Sequence, residues 1–199
     1  MSIMQKGLII LFMFSLIGIL ILSEVSHELS TGRIVNAFGE LRDQRIGLYM
    51  NFPNYVQNPA EQSIVNNVRR LLLYNSQGAY YMPYGIYDPV VFFNNERELV
   101  DNLLILACQK QPSFINYQVP YPTTGAVQCN NVLRSVAIET LENLVQIDIS
   151  LVETTALQSR CPSEAFSGID IARADLINKD YTKLLTSLQA SYTQSLACD

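Results

Sequence analysis

The sequence predicts a mainly α protein, in which an N-terminal transmembrane helix precedes a disulfide-containing helical bundle with long Tyr/Pro-rich loops. Three observations lead there. Residues 7–22 read GLIILFMFSLIGILIL without a single charge. Apolar residues recur at helical spacing through most of the remaining chain. The 199-residue chain also carries four cysteines, an even number. Together they divide the chain into an anchor over 1–25, a juxtamembrane helical stalk over 26–52 and a helical domain over 53–199.

The anchor comes first. Gly7 to Leu22 as a helix reaches about 24 Å. Adding Ile3, Met4 and Val25 brings it near the ~30 Å of a hydrocarbon core, and Lys6 and Glu24 can snorkel to the two interfaces. A cleaved signal peptide is the rival, but its small-x-small site is missing, because Ile21-Leu22-Ser23 puts Ile where a small residue is wanted. Lys6 precedes the segment, and Glu24 and Glu28 follow it. The positive-inside rule then puts the N-terminus in the cytoplasm and the body outside it, or facing an assembly's outer side.

The stalk continues the anchor. Residues 3–52 contain no Pro, and Ile34, Phe38, Leu41 and Leu48 keep helical spacing up to Asn51-Phe52-Pro53. At about 100° per residue Gly7, Gly18, Gly32, Gly39 and Gly47 share one arc of about 80°. Each Gly costs about 1 kcal/mol in a helix interior, so the stripe predicts a packing face for another helix.

Asn58-Pro59-Ala60-Glu61 opens the next helix, with Ile64, Val68, Leu71 and Leu72 on one face and Gly78 as its stop. A further helix starts at Asn94 or Asn95 and carries Leu99, Leu103 and Leu106. A long central helix runs from about Ala126 to Gln158. Within it Val145, Ile147, Ile149 and Leu151 alternate like a strand, but no turn signal separates them from the helix before. Pro162-Ser163-Glu164 opens the last helix, striped by Ile177, Tyr181, Leu184, Leu188, Tyr192 and Leu196. Three or four helices on a membrane stalk are expected.

Cys108, Cys129, Cys161 and Cys198 read as disulfides outside the cytosol. If the last three helices run antiparallel, Cys108, Cys129 and Cys198 share one pole and Cys161 lies at the other. Cys108–Cys129 is the expected bridge, closing a proline-rich loop. Cys161–Cys198 forms only if the last helix breaks, for which Gly168 is the candidate.

Chemistry is harder to find. The formal charge is −5 and charged residues make up 16% of the chain, which excludes a phosphate-binding footprint for nucleic acid. His27 is the only histidine and sits at the membrane exit. No zinc spacing, P-loop, GxSxG or GxGxxG occurs, so neither a metal, a cofactor nor catalysis is expected. Glu139, Glu142, Asp148 and Glu153 read as the solvated edge of a helix, and Arg69-Arg70 as a solvent-facing pair.

The segments 74–93 and 109–125 are rich in Tyr and Pro, which give rigid, amphipathic contact area. Tyr80, Tyr81, Tyr84, Tyr87, Tyr117 and Tyr121 are therefore the candidate partner-binding residues. The expected function is a membrane-anchored structural or assembly protein, its partners being membrane lipid and other protein subunits. A membrane-tethered ligand-binding or sensor module is the alternative, and it would need a concave pocket between helices.

Overall fold

A computed structural model of the chain describes residues 35–110, 127–159 and 162–197. The expected anchor, Gly7, Gly18, Gly32, Tyr117, Tyr121, Cys161 and Cys198 lie outside those residues. Among the described residues no helix is long and apolar enough to cross a membrane.

The chain divides into two units, Met1–Ala37 and Phe38–Asp199. The division falls between Ala37 and Phe38, not at the expected stalk end near Phe52. The reason is burial: Phe38, Leu41, Arg45 and Phe52 all sit in the core of the second unit. This helix, α1 (residues 35–51), is part of the bundle from Phe38 onward.

The second unit is helical among its described residues. After α1 come α2 (Pro59–Tyr81), a 3₁₀ turn (Met82–Tyr84), α3 (Pro89–Leu106), α4 (Asn131–Ala156), α5 (Pro162–Ile177) and α6 (Tyr181–Ala197). Consecutive helices reverse direction. On α1, Phe38 meets Tyr84 and Tyr49 lies under the Arg69 guanidinium, so α1 runs against α2. On α6, Tyr192 meets Phe93 and Gln189 accepts from Arg97, so α6 runs against α3.

Caps fix the helix starts. The Asn58 side chain accepts from the Ala60 and Glu61 N–H groups, and Pro59 occupies the first helical position, where its missing N–H costs nothing. Asp88-Pro89 repeats the device for α3, with the carboxylate accepting from Val90 N–H at 2.8 Å. Asn130 caps α4 in the same way. Val65, Leu72, Leu99, Leu103, Leu144 and Leu188 are fully buried, each worth about 1.5–3 kcal/mol relative to exposure.

Several expectations are corrected. Segment 74–93 is not a loop: α2 runs on to Tyr81 and α3 begins at Pro89. Gly78 does not stop α2. A Cβ there would stand 3.0 Å from both Phe92 Cδ2 and Tyr87 Cε1, so glycine is required for α3 to pack closely. The expected single last helix is two, broken at Asn178–Asp180 rather than near Gly168. Gly168 is helical, and its missing side chain makes room for Ser191 of α6. The alternating run Val145–Leu151 is helical within α4.

Candidate functional site

Two features stand out: an aromatic end of the bundle and a buried charge cluster. The aromatic end is built by the α2–α3 connection. Tyr80 packs edge-on against Tyr81, with centroids 5.1 Å apart, and lies 5.9 Å from Tyr84. Tyr84 meets Phe38 at 6.2 Å, and the Arg42 guanidinium sits over the Tyr80 ring. Gly85 turns the chain in the left-handed region, at φ +69, a conformation open to glycine at no steric cost. Beyond it Ile86 is 72% exposed and Val90 53%; Tyr81, Tyr84 and Val91 are exposed as well.

Tyr87 turns inward. Its ring packs on Phe92 and its hydroxyl lies 3.4 Å from Asn75 Oδ1. Burial, followed by its contact with Tyr74, holds its phenol above the ordinary tyrosine range. Of the four predicted tyrosines in this segment, Tyr81 and Tyr84 are the exposed ones; Tyr80 packs against both, while Tyr87 packs on Tyr74 and Phe92.

Cys108 and Cys129 form the expected disulfide, with Cα atoms 5.8 Å apart, where α3 ends and α4 begins. Glu61, at the start of α2, accepts from Gln128 N–H at 2.7 Å at that same end. The two ends of segment 109–128 are therefore held at the pole opposite Tyr84. Ala197, closing α6, lies toward the Tyr84 pole, so the expected gathering of Cys198 with Cys108 and Cys129 does not follow from the described helices.

Gly39 and Gly47 lie on the side of α1 opposite Phe38, Leu41 and Arg45. A Cβ at either would meet nothing within 4 Å. No helix among the described residues covers this stripe.

The charge cluster was not foreseen. Arg45 donates from Nη1 to Glu96 Oε1 at 2.7 Å and from Nη2 to Asp148 Oδ1. Its guanidinium also lies 5.0 Å from the Phe92 ring centroid. Side-chain exposures of 0%, 0% and 1% seal the three groups off. Asn75 donates to Glu96 Oε1 and accepts from Asn95. Asp148 thus leaves the expected solvated edge, while Glu139 and Glu142 remain on it. Arg69 is not a solvent pair with Arg70 either, because it donates to the Tyr49 and Phe52 carbonyls at the end of α1.

The three charged groups join α1, α3 and α4 in the interior of the bundle. An open depression of about 540 Å³ lies along one face of α6, lined by Thr186, Gln189, Ala190, Thr193, Gln194 and Ala197. Among the described residues no group of His, Cys, Asp and Glu could hold a metal ion. No family model, curated protein or solved structure matches the chain.

Proposed function

We propose that this chain is a membrane-anchored structural or assembly protein that links a membrane to a larger protein array, such as a virion's minor capsid or membrane protein or a subunit of an envelope complex. The observation that carries the reading is the polarity of the second unit. The chain enters it at Phe38, against Tyr84, and the disulfide-closed segment 109–128 leaves from the far end. A linker between two surfaces needs its contact elements at opposite ends. The apolar stretch Gly7–Leu22 supplies the membrane side of this reading.

The sensor alternative needs a pocket enclosed by several helices. The α6 depression is lined by a single helix, so it lends that alternative no support. The test is to place a photo-crosslinking residue at Tyr117 or Tyr121 in the full chain and assemble it in its native membrane. The reading expects crosslinks to one repeated subunit type. A clean monomer after mild detergent extraction, with no crosslinked subunit, overturns it.

A further inference from the structure

The exposed residues of the α2–α3 connection have a chemistry of their own. Between Tyr80 and Phe93 the only charged residue is Asp88, and its carboxylate is engaged as the α3 cap. Arg42, whose guanidinium lies over the Tyr80 ring, is paired with Asp43. What remains outward is Tyr81, Tyr84, Ile86, Val90 and Val91, two phenols and three aliphatic chains on a turn stiffened by Pro83 and Pro89. Contiguous apolar exposure of this kind marks a contact surface. Tyrosines mixed with aliphatic side chains suit the headgroup boundary of a bilayer, where one end of the ring is dry and the other wet.

Connectivity selects the occupant. Phe38, where the chain enters this unit, packs against Tyr84 of the same turn. Residues 23–37 separate Phe38 from the apolar stretch and extend about 23 Å if helical. They include Ser30-Thr31-Gly32, poor helix formers, so the link need not keep that length. The opposite pole lies further off by the length of α2, 23 residues, or about 34 Å at helical rise. The geometry points to the α2–α3 turn as a membrane-contact face that seats on the headgroup region of a bilayer. With no free Lys or Arg on the turn, the partner is neutral, zwitterionic lipid rather than an anionic surface. This inference rests on the membrane anchor of the proposed function.

The chain has no tryptophan, so single-tryptophan variants report cleanly. Ile86→Trp probes the turn. Tyr55→Trp, at a residue 73% exposed near the other pole, is the reference. Both full-length variants are reconstituted into phosphatidylcholine vesicles carrying brominated acyl chains and floated on a density gradient. Flotation with about threefold stronger quenching and a blue-shifted emission at position 86 is the expected result. Flotation with equal quenching at the two positions, or with solvent-like emission at 86, overturns the membrane-contact face and leaves the anchor standing. Failure to float overturns the anchor and this inference together. Ile86 is exposed, so its replacement disturbs no core contact, and Val90→Trp serves as a second probe of the same face.

Discussion

Arg45 of α1 and Asp148 of α4 are 103 positions apart and meet in the dry interior of the bundle. With Glu96 of α3 on the other guanidinium nitrogen, one side chain ties three helices together. Removing one member of a buried ion pair costs about 3–5 kcal/mol, because its partner is left buried and uncompensated. Arg45→Ala should therefore lose about that much in a denaturant titration of the full chain in mild detergent. The triple variant Arg45→Met, Glu96→Gln, Asp148→Asn should recover most of the loss. If the triple variant is as unstable as Arg45→Ala, the charge argument fails and packing alone explains the site.

Tyr192 gives a pH prediction. Its ring is buried beside Phe93, and its hydroxyl has no hydrogen-bond partner among the described residues. Burial holds its phenol above the ordinary value. A raised folded value means the unfolded tyrosine ionises first. The contribution is complete below about pH 10, the unfolded value, and falls as the pH rises above it. Tyr192→Phe removes an unpaired buried hydroxyl. It should be neutral or stabilising by about 1 kcal/mol at pH 7, and should flatten the alkaline fall in a melting series across pH 8 to 11.

The glycines separate by environment. Gly78→Ala would press a methyl group against Phe92 and Tyr87 and should cost about 1–3 kcal/mol, as overpacking does. Gly39→Ala and Gly47→Ala meet open space and should stabilise α1 by about 0.5–1 kcal/mol each. If the stripe serves another helix in an assembly, these same two variants raise the melting point while weakening assembly. Unchanged assembly would remove the stripe from consideration.

How much of this could be read from the sequence depends on the type of signal. Local chemistry was legible: Asn58-Pro59 announced α2, and two helix ends flanking a proline-rich loop announced Cys108–Cys129. Asp88-Pro89 carries the same cap-and-proline signal as Asn58-Pro59. It is obscured because Gly78 reads as a stop and the tyrosines around it as loop. Gly78 and Gly168 show why glycine misleads in one dimension: each makes room for a side chain of the helix that follows. Arg45, Glu96 and Asp148 look like ordinary surface charges on amphipathic helices. Only the packing of α1 on α3 and α4 shows that their helix faces turn inward.

Lys179 ends α5 in the left-handed region, at φ 57. Its N–H bonds to the Leu176 carbonyl, and the Asp180 N–H bonds to that of Asp175, the Schellman pattern in which glycine is the favoured residue. A side chain in that conformation costs about 1–2 kcal/mol. Lys179→Gly should raise stability by about 1 kcal/mol, since the salt bridge of Lys183 with Asp180 is untouched. No gain on thermal unfolding would show that the lysine side chain offsets its backbone cost.

The second pair of cysteines has a register prediction. Gly168 of α5 sits against Ser191 of α6 in an antiparallel hairpin. Two helical turns back from Gly168 is position 161, and two turns on from Ser191 is position 198. Non-reducing peptide mapping should recover Cys161 joined to Cys198. Free thiols at both, with Cys108–Cys129 intact, would refute the pairing.

The three-helix clasp at Arg45 also imposes an order on synthesis. Arg45 leaves the ribosome first and Glu96 comes next, but Asp148 is 52 residues later still, roughly 3–10 s at ordinary elongation rates. Until Asp148 has been made, Glu96 is the one of the two carboxylates available to Arg45. Elongation speed between codons 96 and 148 therefore sets how long the arginine waits for its second carboxylate.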